Sequence, residues 1–129
     1  MIGKAIASLL TSHTALTALI PEERIFPYVL NENTPLPAII YTIDTVSAYY
    51  SKDGWANDEV VFSVSTFSDD YARLQDIANE VRNALEWESG TVAGITLNKI
   101  RQQGLIEGFS ISENVYVNRL TFNVIVNGY

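Results

Sequence analysis

The sequence predicts an α+β fold: a four-stranded, mainly antiparallel sheet in αββαββ order, with two helices packed on one face. Three observations predict it. Residues 38–49 and 59–67 are β-rich runs flanking a turn signal, Ser51-Lys52-Asp53-Gly54. Residues 71–85 carry an apolar stripe at helical spacing, and residues 115–126 alternate apolar and polar side chains. The chain has 129 residues. That length predicts one domain, 1–129, which folds by burying roughly two-thirds of its unfolded surface.

The elements follow in order. Ile2, Ile6, Leu9 and Leu10 recur at helical spacing and form the first stripe. Ser12 is positioned to cap a second short turn carrying Leu16, Leu19 and Ile20, which Pro21 stops. Pro27, Pro35 and Pro37 make residues 22–37 an extended loop, with at most a short edge strand at 24–26. In the hairpin, Ile39, Tyr41 and Ile43 share one face, and Val60, Phe62 and Val64 do the same on the second strand. Ser68 is the predicted cap of the long helix, with Asp69 and Asp70 where its dipole favours negative charge. Tyr71, Leu74, Ile77, Ala78, Val81 and Leu85 form its apolar stripe. Gly90 and Gly94 mark the exit loop. Residues 95–102 alternate weakly and are the third strand. Gly104, Gly108 and Ser112-Glu113-Asn114 break the chain before the fourth, where Leu120, Phe122, Val124 and Val126 share a face.

Composition narrows the functions. Eight basic residues against fifteen acidic ones leave a net charge of −7, which repels phosphate and argues against tight nucleic-acid binding. No apolar run approaches the roughly 20 residues that span a bilayer, so no membrane partner is expected. Lys4, Ser8, Thr11 and Ser12 interrupt the N-terminal run, which reads as a native helix and not a secretory segment. The absence of cysteine removes disulfides, thiolate metal sites and a cysteine nucleophile, and fits a reducing compartment.

The search for chemistry assigns no catalytic, metal-binding or cofactor-binding residue. His13, the single histidine, has no acid near it in sequence and reads as a helix-end or surface residue. Asp69-Asp70 reads as helix-dipole complementation ahead of acid–base work. Asp53, Asp58 and Glu59 read as a polar hairpin tip, because Gly54 directly after Asp53 breaks the spacing of a calcium loop. Nucleotide-binding glycine motifs and a nucleophile elbow are absent. The aromatics are more informative. Tyr49, Tyr50 and Trp55 crowd the hairpin tip, where they are candidate oligomer or partner contacts or fold back on the chain's own core. Both sheet faces carry apolar residues, Ile40 against Ile39 and Val61 against Val60, so the second face is expected to meet something.

Three stretches carry a family resemblance: Ala15-Leu16-Thr17-Ala18-Leu19-Ile20 with Arg24-Ile25-Phe26-Pro27; Pro35-Leu36-Pro37-Ala38-Ile39-Ile40-Tyr41; and residues 67–85, with Tyr71-Ala72 and Arg82-Asn83-Ala84-Leu85. With these in order, the chain resembles the phage tail terminator family, also called tail-completion or minor tail proteins. Phe26 and Ala38 depart from its more usual aromatics, and the Asn31-Glu32-Asn33 loop is its own. The resemblance implies a structural, non-enzymatic virion protein without cofactors. Its copies would form a ring, commonly hexameric, at the head-proximal end of a long tail, assembled in the host cytoplasm. Implied partners are other copies of itself, the tail tube protein and a head connector or head-closure protein. DNA would pass through an acidic lumen without specific binding. The rivals are a connector or head-closure ring, a small hydrolase or ligand-binding domain, and an interaction module unrelated to phage.

Overall fold

The computed structural model describes residues 2–30, 33–51 and 54–127, without the side chains of 49–51 and 54–56. Helix α1 (Ile2–Ser12) buries Ile2, Ala5, Ile6 and Leu10, which recur at three- and four-residue steps along one side. The single turn α2 (Thr14–Thr17) buries Leu16. Its N-cap is His13, with no side-chain cap, and the Ser12 hydroxyl donates instead to the Ser8 carbonyl at 2.6 Å. The expected capping role of Ser12 is thus replaced by back-bonding within α1.

Among the described residues, seven strands form one sheet. They are β1 (Ile25–Pro27), β2 (Ala38–Ser51), β3 (Gly54–Ser68), β4 (Gly90–Val92), β5 (Ile95–Leu97), β6 (Arg101–Ser110) and β7 (Val115–Asn127). The sheet runs β1-β2-β3-β7-β5-β4, and β6 pairs with β7 on the side that β5 also occupies. All pairings are antiparallel except β1 with β2, which is parallel. Helix α3 (Tyr71–Leu85) follows β3. The α+β class and the antiparallel hairpin stand, and the short edge strand falls where residues 24–26 suggested it.

Four strands and two helices are therefore corrected to seven strands and three helices. The expected third strand splits into β5 and β6 around residues 98–100. Gly104 and Gly108, read as chain breakers, lie inside β6. Gln103 has no register partner on β7, so Gly104 directly follows the extra residue of a bulge, a position glycine often marks. A Cβ on either glycine would meet nothing within 4 Å. β4 is a three-residue piece opening on Gly90, whose φ of +105° suits glycine.

The helices share one face of the sheet. Val60, Phe62 and Val64 of β3, Leu120, Phe122, Val124 and Val126 of β7, and Ile39 of β2 form one buried cluster with Ile6 and Leu10 of α1 and Ile77 and Val81 of α3. Phe62 and Phe122 are register partners, and their rings stack at 5.4 Å. The N-cap of α3 is Asp70, not Ser68: its carboxylate accepts the Ala72 N–H at 3.0 Å. Ser68 acts one step earlier, its hydroxyl accepting the Asp70 N–H at 3.1 Å.

Candidate assembly surface

The face of the sheet away from the helices is bare. Ile40 and Thr42 of β2, Ser65 and Phe67 of β3, Arg119 and Thr121 of β7, and Ile106 of β6 line an open hollow there, with Asp44 at its edge. Asp44 has no register partner on β3, because pairing resumes with Thr45 opposite Val61. It is the extra residue of a bulge, which re-aims a side chain. Its carboxylate accepts from the Ser63 hydroxyl, from the Thr42 hydroxyl at 3.1 Å and from the Arg119 guanidinium at 3.3 Å. Ser63 in turn lies 3.2 Å from the Thr121 hydroxyl. The hollow thus mixes apolar side chains, Ile40, Phe67 and Ile106 among them, with hydroxyls and a carboxylate already held by its own donors. A second hollow on the same face is lined by Glu59, Asn98, Lys99, Arg101, Asn123 and Ile125.

The β6 side is anchored from behind. The Glu107 carboxylate accepts from Tyr71 Oη at 3.0 Å, from Asn118 Nδ2 at 2.9 Å and from the Gln75 amide. Tyr116 packs against Tyr71 at 5.4 Å and against Phe109 at 4.7 Å. Donation by the Asn118 amide, helped by Tyr71 and Gln75 and opposed by partial burial, holds the Glu107 carboxyl below its ordinary value. A carboxyl lowered on folding stabilises above the ordinary carboxylate range, and that contribution disappears as pH falls through the lowered value. Thermal melts of the parent and Glu107→Gln should therefore differ most at about pH 7 and converge towards about pH 3. A constant gap across that range would show that the carboxylate contributes nothing specific.

Sequence-predicted residues divide clearly. His13 meets an acid 67 positions away: its Nε2 lies 2.9 Å from Glu80 Oε2, tying the start of α2 to α3 on the helix side of the sheet. The structure thus pairs His13 with a carboxylate, and Ser63, the serine that donates to the Asp44 carboxylate, lies elsewhere, on the bare face. Asp70 is the N-cap of α3, a place expected for Ser68, and no acid stands in the first turn of that helix. Tyr49, Tyr50 and Trp55 stand on the strands of the hairpin end, Tyr50 opposite Trp55, and their side chains lie outside the described residues. Asp53 lies outside them entirely. No group of three metal-ligating side chains occurs among the described residues, and none of their helices is long and apolar enough to cross a membrane.

Sequence reasoning missed Leu105, Ile106, Phe109 and Ile111. They are 52%, 70%, 45% and 88% exposed, a run of open apolar side chains on β6 and the turn after it. Their signal in the sequence is four apolar residues within seven positions, interspersed with the glycines Gly104 and Gly108.

No curated protein matches the chain. A solved chain from the virion of a native gene transfer agent particle is similar, with a TM-score of 0.77 at 19% identity, covering 96% of this chain and 92% of that one. A second solved chain reaches a TM-score of 0.64 at 14% identity, covering 99% of this chain and 94% of that one. At such identities the likeness shows the fold. The family model described as tail completion protein gp17 matches residues 4–126. That match takes in every described strand and helix in whole or nearly so, and the chain belongs to the tail completion protein gp17 family, with a structural role in a virion tail.

Proposed function

We propose that this protein is a tail terminator: a ring-forming, non-enzymatic structural protein that caps the head-proximal end of a tail tube. The ring ends tube polymerisation and offers its other side to a head connector or head-closure protein. The chain acts as one unit over residues 1–129, assembles in the host cytoplasm and needs no cofactor. DNA passes through the ring without specific binding, in keeping with a net charge of −7. The observation that carries the reading is the bare sheet face, an open hollow that sets Ile40, Phe67 and Ile106 beside hydroxyls and a carboxylate occupied by its own hydroxyl and guanidinium donors. Such a surface suits contact with another protein.

Assembly without this protein tests it. Overlong tubes support termination. Tails of normal length that fail to join heads would assign the chain to the connector class instead. Tyr49, Tyr50 and Trp55, at the hairpin end, are proposed as contacts within the ring or to the tube. Trp55→Ala should leave the fold intact and lower the ring population, read by native mass spectrometry; unchanged ring mass and population would remove Trp55 from the interface.

A further inference from the structure

We infer that copies of this chain join edge to edge, the open side of β6 pairing antiparallel with the β1–β2 side of the next copy. The sheet then runs on from one subunit into its neighbour. The inference rests on the ring reading above and adds the surface by which the ring closes.

The two lateral edges carry it. Among the described residues, β6 pairs only with β7, so along ten residues its other side presents backbone donors and acceptors. Natural sheets guard such edges with proline, charged side chains, bulges or short length. β6 has its bulge at Gln103, near its start, and beyond it residues 104–110 hold no proline and no lysine, their one charge being Glu107, which Tyr71 and Asn118 hold. The opposite edge is partly covered: β1, three residues ending in Pro27, pairs with Ile39, Ile40 and Tyr41 of β2, and Tyr28 donates its N–H to the Tyr41 carbonyl at 3.0 Å while its hydroxyl oxygen accepts the Ile43 N–H at 3.3 Å, so β2 is open beyond Ile43. Nine large apolar side chains are exposed among the described residues. Seven of them lie on or next to the edge strands: Leu105, Ile106 and Phe109 on β6 with Ile111 in the turn after it, and Val46 on β2 with Tyr28 and Val29 in the turn after β1. Apolar surface matched at opposite ends of one sheet is what a head-to-tail contact requires.

Strand polarity permits the join. β6 runs antiparallel to β7, β7 to β3 and β3 to β2. β6 therefore runs opposite to β2 and to β1. Copies related by rotation about an axis along the strands keep their sense, so β6 meets β1 and β2 of the next copy as an antiparallel neighbour. The levels agree as well. Ile106 pairs with Arg119, Arg119 with Ser65, Ser65 with Ile40 and Ile40 with Phe26. The join thus sets Ile106 at the height of Phe26 and Ile40 in the next subunit, all on the bare face. The hydrogen bonds to Glu107 hold β6 in place before any partner arrives. A two-fold pairing of β6 with β6 would leave Tyr28 and Val29 open.

The chain has no cysteine, so introduced thiols report cleanly. Val29→Cys and Ile106→Cys replace side chains that are 71% and 70% exposed, and circular dichroism verifies that each variant folds. Both single variants, their mixture and the double variant are treated with a short bismaleimide, alone and with terminator-free tail tubes. Parallel native mass spectrometry reads assembly. The expected result is a covalent heterodimer from the mixture and a ladder above dimer from the double variant, ending at the copy number of the ring. Cross-linking of Ile106→Cys to itself would show two-fold pairing and overturn the inference. Rings without cross-links in the double variant would overturn it while leaving the ring reading standing. A chain that stays monomeric in both settings would overturn the ring reading and the inference together.

Discussion

Phe122→Asp is expected to leave no folded protein. Phe122 is fully buried, and its ring stacks on Phe62, its register partner across the central strand pair β3–β7. Removing a buried phenylalanine costs about 3–5 kcal/mol through lost transfer energy and the cavity left behind. The aspartate adds a carboxylate in a place walled by Val60, Val64, Leu120 and Val124. A charge desolvated without a partner costs several kcal/mol more, or forces its own protonation. Domains of this size have only about 5–15 kcal/mol in hand. Circular dichroism and soluble yield measure the outcome. A variant that melts like its parent would show that Phe122 does not face the helices.

Leu74→Asp should have nearly the same effect from the other layer. Leu74 is fully buried on the α3 stripe with Ile77, Val81 and Leu85. Truncation of such a leucine alone costs about 2–5 kcal/mol, and the buried charge adds to it. The neighbouring Arg73→Asp is the control, because Arg73 is exposed in the first turn, where the dipole favours an acid. That variant should stay within about 0.5 kcal/mol of the parent. Chemical denaturation of the pair separates burial from helix propensity, since both place aspartate one residue apart on one helix. Equal losses in the two would refute the assigned stripe.

The elements legible in the sequence are those whose periodicity is strong. α1, α3, the β2–β3 hairpin and β7 each bury one side against one layer, and a one-sided environment writes itself as a repeat of 3.6 or 2. The stretch from Gly90 to Ser110 has no such constraint. β4 and β5 are three residues each, too short for the alternation of Ile95, Thr96 and Leu97 to stand out, and β6 lies at an edge mostly exposed on both faces, where glycine is tolerated. The surface was harder still. Asp44 and Arg119 are 75 positions apart, and His13 and Glu80 are 67 apart. Which strand ends a sheet depends on pairings that local patterns do not encode. The hairpin aromatics Tyr49, Tyr50 and Trp55 cluster in sequence, whereas topology alone sets Tyr28 and Val29 towards one end of the sheet and Leu105 and Ile106 at the other.

All three helices lie on one side of the sheet. A slab armoured on one side and naked on the other has a front and a back before it touches anything. Any wall laid from such slabs in a common orientation inherits that sidedness, and a flipped unit would set a helix where its neighbours present strand. Which side such a wall turns outward is thereby decided inside each molecule, with no separate device needed to tell one side from the other.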